Sequence, residues 1–394
     1  MKKYHQLILL IISAISLGLF LIYRHEYNRL HYVLEVFNFF GQPCNFSDLQ
    51  TIDFTLRQHD WGPPPVWQET ENAYIYSAFL IEKSKAKAIV LPKDGQKLPK
   101  NCYLWLEDRK KPLTGKFSFS KMVDGANSLV PYFYYCTATN VETAPFAVSF
   151  NSITKHDGNV KKIPLNDISA PKPTVDINIT VCVPPLLFSK RKFVEFFSFH
   201  RLIGVESFIF YDKDIPRRLV KLMENLSKRL DVRLAFLPWN FPKTETAAVR
   251  TIVENDCLLR TLRQSKFTAV LELNEYIVPV SSFTVNDLLR DSKASLPVRK
   301  FCSGNGDLGK PVALQSYNVI NDARFNSVRY IYKNDNPDGY WDNEAAAPDG
   351  SRASVHKYIK CDANTKTTKD YNMMKFSTDF TRSTLVQLLV HNQL

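Results

Sequence analysis

The stretch Thr268-Ala-Val-Leu-Glu-Leu-Asn-Glu-Tyr-Ile-Val-Pro279 crowds Glu272, Asn274 and Glu275 behind the apolar strand residues Ala269, Val270 and Leu271. Oxygen ligands gathered at the C-terminal end of a central strand suit a divalent cation that carries a phosphate. Open α/β sheets also bind their ligands at that end. A strand running into a solvated acidic turn accounts for the same residues without any chemistry. Three further places carry polar groups at points where elements end or meet. Asp212 follows the strand-like segment Val205–Tyr211, Asn255-Asp256 lies in a helix-like segment, and His391 stands close to the last residue. Each has a plain structural reading too: a turn or helix cap for Asp212, a solvated or cap-bonded pair for Asn255 and Asp256, and no role for His391.

The elements that must position these residues begin near Asn178. Ile179–Val183 reads as a strand, and Ser189 can cap a helix over about 191–202 that Gly204 stops. A strand over 205–211, a helix over 216–230, a strand over 232–237 and a helix over 244–264 follow. Regular alternation predicts a parallel sheet with right-handed crossovers. No Gly-x-Gly-x-x-Gly follows the first strand, which disfavours a dinucleotide fingerprint. Ahead of this region, short apolar stretches between turn signals (74–81, 88–91, 102–106, 133–136, 145–150) predict a small mainly β domain over 71–170. Ala170-Pro-Lys-Pro173 reads as a linker.

The first residues read as a membrane anchor. Lys2 and Lys3 precede an apolar run at 7–23 whose far end is filled with large residues, so a cleavage site is disfavoured. The expectation is a cytosolic tail (1–6), an uncleaved transmembrane signal anchor (7–23), a stem (24–70) and a luminal remainder. Asn45, Asn178 and Asn225 open glycosylation triplets, and the cysteines number 7. An oxidising lumen would pair some of these and leave at least one unpaired within the chain. The 394 residues are 45% hydrophobic and 13% aromatic, which indicates a substantial core. The net charge of +12 is spread along the chain rather than gathered in an arm, which argues against a nucleic-acid partner.

Three blocks in order resemble glycosyltransferase family 92: Glu195–Asp212, Asn255-Asp-Cys-Leu-Leu-Arg260 and Ala269–Pro279. The resemblance implies a GT-A-like nucleotide-sugar domain over 175–394 with a mostly parallel central sheet. With the mainly β domain and the N-terminal transmembrane helix ahead of it, the expected fold class is α/β. It also implies a type II Golgi or other secretory-pathway membrane protein, a UDP-sugar donor (UDP-galactose by inheritance), a glycan acceptor and a divalent cation, Mn2+. The family's Asp-x-Asp-Glu-Phe motif corresponds to Glu272-Leu-Asn-Glu-Tyr276. Glu272 and Asn274 therefore stand as metal ligands, with Asn274 an uncharged replacement for an aspartate. Asp212, Asn255 and Asp256 stand at substrate-binding positions. His391 takes the place of a family histidine, as a late metal or phosphate contact, and His356-Lys-Tyr-Ile-Lys360 loosely resembles a basic block.

An inverting transferase needs a carboxylate to accept the acceptor hydroxyl's proton as it attacks. Glu275 is the candidate, with orientation of the acceptor or of the neighbouring loop as its other role. Trp239 and Trp341 either stack on a sugar face or pack in the core. The alternative function is a catalytically inactive luminal binding or scaffolding protein of the same fold, which the change from aspartate to Asn274 favours.

Overall fold

Alternation of side chains explains the first layer. The computed structural model describes Ser16 and residues 67–391 except 94, 110, 123–129, 151–160, 170–176, 186–187, 242–245, 263, 281, 290–293, 304–306, 308, 322–326, 335–349 and 363. The short β1 (Gln68–Glu69) pairs with β2 (Ala73–Glu82). In β2, Ile75, Ala78 and Leu80 face one side and Tyr76, Phe79 and Ile81 the other. A register shift against β3 (Lys85–Pro92) between Ile75 and Ser77 carries that change of face. The sheet continues through β4 (Asn101–Trp105), β5 (Leu113–Lys121), β6 (Tyr132–Thr137), β7 (Ala147–Ser149) and β8 (Ile163–Asp167). The pairing of β8 back onto β2 closes β2, β3, β6, β5, β4, β7 and β8 into a barrel. Its interior holds Ile75, Leu80, Tyr134, Phe150 and the disulfide Cys102–Cys136.

The second layer begins with β9 (Ile177–Val183), α1 (Lys190–Leu202), β10 (Ser207–Asp212), α2 (Arg217–Leu230), β11 (Arg233–Pro238), α3 (Thr246–Thr261) and β12 (Ser265–Val270). Ser189 caps α1 by accepting the Lys192 N–H, and Gly204 at φ +98° ends it where a β-carbon would be strained. α1 buries Phe193, Phe196, Phe197 and Phe199 against the sheet. The strands β11, β10, β9 and β12 run parallel, side by side.

Beyond β12 the direction changes. β13 (Glu275–Pro279), β14 (Ala294–Cys302), α4 (Val312–Gln315), β15 (Asn318–Ile320), β16 (Val328–Lys333), β17 (Ala353–Ile359), β18 (Thr367–Lys369), α5 (Ser377–Arg382) and α6 (Thr384–Val390) complete the chain. β16 is antiparallel to β12 and to β14, β13 is antiparallel to β17, and β15 is antiparallel to β14 and β18.

The expected α/β class with a mostly parallel GT-A-like sheet is corrected by this architecture. Strand residues outnumber helical ones, a closed barrel occupies the first half, and the second sheet is mixed. The physical reason lies after Pro279. A parallel connection needs a crossover of about a dozen residues or more, usually a helix. The described α-helix between β13 and β17 is the four-residue α4, and most pairings there are antiparallel, with β14 and β17 the parallel exception. Among the described residues no helix is long and apolar enough to cross a membrane. The expected anchor at 7–23 lies outside the described residues apart from Ser16, as do the 24–66 part of the stem, Cys44, Asn45 and Trp341.

Ile52–Leu394 forms one compact unit, and Met1–Thr51 is a second. Within the larger unit the barrel is packed onto α3 and the parallel strands. Trp67, Tyr76, Phe79 and Phe133 share an apolar cluster with Tyr211, Trp239, Ile252 and Cys257. Two further disulfides, Cys182–Cys257 and Cys302–Cys361, fasten α3 to β9 and the end of β14 to the segment after β17.

Candidate functional site

The acidic motif sits where β12 ends. Glu275 N–H bonds back to the Glu272 carbonyl at 2.9 Å, and the Glu272 N–H donates to Glu275 Oε2 at 3.1 Å. This closed turn starts β13 with the Glu275 side chain fully buried. The chain supplies its counter-ions from three separate elements. Arg329 on β16 forks onto Glu275, with Nε 3.0 Å from Oε2 and Nη2 2.5 Å from Oε1. Lys357 on β17 places Nζ 2.8 Å from Glu272 Oε2 and 3.1 Å from Glu275 Oε1. Arg250 on α3 holds Nη1 3.6 Å from Glu272 Oε1 and 4.0 Å from Glu275 Oε2. Arg250 is itself tied down, with Nη2 donating to the Val270 carbonyl at 3.0 Å and Nε paired to Glu254 at 3.0 Å.

Burial pushes the Glu275 carboxyl upward. The hydrogen bonds and charge of Arg329, with the charges of Lys357 and Arg250, outweigh it, so the group ends below its ordinary carboxylate value. A carboxylate stabilised in this way, with both oxygens engaged, is a weak proton acceptor. Burial raises Glu254 above its ordinary value, against the opposing pull of Arg250 and Arg329.

The expected metal ligands are not brought together as a cation site. Glu272 faces Lys357, Arg250 and Arg329. Two unit charges 4 Å apart interact by about 4 kcal/mol at an effective dielectric of about 20, and a dication doubles the term, so each of these cations opposes a metal here. Asn274 donates Nδ2 to the Tyr358 carbonyl at 3.1 Å and accepts the Tyr358 N–H on its own carbonyl at 2.9 Å. Its Oδ1 is buried and takes no hydrogen bond among the described residues, a neutral oxygen where a cation site gains from a charge. His391 is exposed at the C-terminal end of α6, with its backbone N–H on the Gln387 carbonyl. Among the described residues no group of at least three His, Cys, Asp or Glu side chains is placed to hold a metal. The residues present do not fit a divalent cation.

The expected substrate-binding residues lie at the end of β10 and on α3. Asp212, at the end of β10, accepts the Ile215 N–H on Oδ1 at 2.8 Å and so caps the turn. Asn255 is buried on α3 and donates back to the Thr251 carbonyl at 2.7 Å. Asp256 is fully buried, accepting Ser77 Oγ at 2.5 Å and Tyr211 Oη at 2.6 Å and pairing with Arg260. It joins a barrel strand to α3 and β10. Trp239 packs against Trp67 and Tyr76, with ring centroids 5.5 and 4.8 Å away. A cavity of about 410 Å³ lies elsewhere, lined by Ile177, Ser207 and Arg233 at the N-terminal ends of the parallel strands, away from the acidic motif.

Sequence reasoning missed Arg250, Arg329 and, except for the loose basic block, Lys357. Each is an ordinary cation in its own segment, and only the fold gathers them.

Comparison with known proteins adds the following. Residues 177–307 match the family model for glycosyltransferase family 92. No curated protein matches the chain significantly. One solved structure, the nucleoside-diphosphate-sugar pyrophosphorylase from Vibrio cholerae RC9, is 15% identical and covers 51% of this chain and 99% of its own. Its TM-score of 0.23 is too low for the likeness to carry an argument. The matched segment runs from the first parallel strand through the acidic motif and past the end of β14, and over that span the chain is similar to glycosyltransferase family 92.

Proposed function

We propose that the chain transfers a hexose from a nucleotide diphosphate sugar to a glycan acceptor, with galactose from UDP-galactose as the donor and inversion at the anomeric carbon. The observation that carries the reading is the segment similar to family 92, which spans the parallel strands and includes the acidic motif. Ligands of open sheets gather at the carboxyl ends of parallel strands. The compartment we propose is the lumen of the Golgi or a neighbouring secretory organelle. Three disulfides among the described residues support an oxidising environment.

The test is transfer of labelled hexose from a panel of UDP-sugars to a glycan array by the full chain, with product anomers resolved by NMR. Transfer from UDP-galactose with inversion is the expected result. Absence of transfer from every donor would remove the reading.

A second reading is favoured by one observation: both Glu275 oxygens are occupied by Arg329 and Lys357. A non-catalytic member would keep the fold and bind glycans without turnover. Saturable binding on the same array, with no release of UDP, is its signature.

A further inference from the structure

We propose that the acidic motif at the end of β12 is an ion-pair hub that excludes a divalent cation. Where the domain engages a nucleotide sugar, side-chain cations neutralise the diphosphate in its place. The second statement rests on the transferase reading; the first does not.

The hub is built from distant parts of the chain. Glu272 and Glu275 lie within 4.0 Å of Arg250 and Arg329 and within 3.1 Å of Lys357. A metal would have to displace Lys357 from both carboxylates. It would then meet Arg250, which cannot swing aside without giving up its bond to the Val270 carbonyl. Asn274 is held to Tyr358 by two hydrogen bonds and offers one neutral oxygen. A hard cation prefers anionic oxygens, and this motif presents carboxylates already compensated.

An anion meets the opposite balance. Glu275 is sealed at 0% side-chain exposure, whereas Arg250, Lys357 and Arg329 keep 25%, 21% and 16%. Glu272 keeps 24% and is paired to Lys357. Arginine and lysine bind phosphate oxygens through charge-assisted hydrogen bonds, and clamps of this kind can supply positive charge where a leaving diphosphate develops negative charge.

Mn2+ alone, titrated into the full chain and followed by the spin resonance of free Mn2+, tests the first statement. The ion is expected to remain free at millimolar concentration. One bound Mn2+ per chain that disappears in Glu272→Gln would overturn the proposal. The double variant Lys357→Met with Asn274→Asp should gain one Mn2+ and bind it at least tenfold tighter than the parent. If that variant melts abnormally, Asn274→Asp alone takes its place. A folded variant with no gain overturns the assignment of exclusion to these two side chains. For the second statement, calorimetry with UDP-galactose should give the same affinity in EDTA and in Mn2+. A tenfold gain with Mn2+ overturns it. Absence of UDP-galactose binding under both conditions would refute side-chain neutralisation of this donor together with the donor assignment, and the manganese titration would still decide the hub.

Discussion

Lys357 Nζ stands 2.8 Å from Glu272 Oε2, across 85 positions of sequence. Glu272 opens the motif that resembles a metal-binding signature, and Lys357 arrives on β17, which pairs with the strand the motif begins. Register explains the contact. Glu275 lies opposite Lys357 in the β13–β17 ladder, so cross-strand pairing delivers the ammonium to both carboxylates.

Arg329→Met leaves Glu275 fully buried, with Lys357 and the more distant Arg250 as its remaining cations. Removing one partner of a buried ion pair costs about 3–5 kcal/mol. Urea unfolding should show a loss of that size, and adding Glu275→Gln should recover part of it. A loss under about 1 kcal/mol, the range of a surface pair, would refute the burial argument.

Asp256→Ala removes the acceptor of Ser77, Tyr211 and Arg260 at once, beside an Arg260 side chain that is 10% exposed. The expected cost is again about 3–5 kcal/mol. It should appear as a lower denaturation midpoint. Unchanged stability with weakened donor binding would instead return Asp256 to a substrate role.

Acid should weaken the fold through two buried histidines. His200 Nδ1 lies 2.8 Å from the Phe196 carbonyl, and Nε2 accepts the Ile277 N–H at 3.3 Å, so the neutral ring is the bonded form. Burial pulls its pKa down from 6.5 to about 4. Burial pulls His356 down to about 3, with Asp370 raising it and Arg299 lowering it. The unfolded chain therefore takes up protons that the native state refuses. Stability is complete above pH 6.5 and falls as pH drops toward 4 for His200 and toward 3 for His356, by about 3–5 kcal/mol each. His356 is stacked on Phe301 at 4.2 Å, and neither of its ring nitrogens is hydrogen-bonded among the described residues. His356→Phe should therefore flatten the melting temperature against pH between 6.5 and 4. An unchanged slope would sink the assignment.

Gly115→Ala should destabilise the barrel. A β-carbon there would lie 2.6 Å from Cys136 Sγ and 3.0 Å from Cys102 Sγ, with the Thr137 carbonyl at 3.1 Å. Overpacking of this kind costs about 1–3 kcal/mol, visible as a lower thermal midpoint. A melting temperature equal to the parent's would show that the disulfide has room to shift.

Much of the second layer was legible because its signals are local. Ser189, the aromatic spacing of 193–200 and Gly204 specify α1 by capping, periodicity and a left-handed stop. The motif at 268–279 announced a strand end for the same reason. The mostly parallel sheet is overturned past Pro279, where alternation of strand and helix does not continue. After that residue no long helical period returns the chain, and pairing partners are chosen by contacts that a sequence window does not contain.

By itself the sequence determined the kinds of residue at the end of β12, the likeness of 177–307 to glycosyltransferase family 92 and the apolar faces that must be covered. Only the tertiary structure decided what those residues do. Electrostatic roles depend on which charges lie within a few ångströms, and Arg250, Arg329 and Lys357 converge on Glu272 and Glu275 from α3, β16 and β17. Closure of the barrel was likewise set by one nonlocal pairing, β2 with β8, across 88 residues from Asn166 to Ala78.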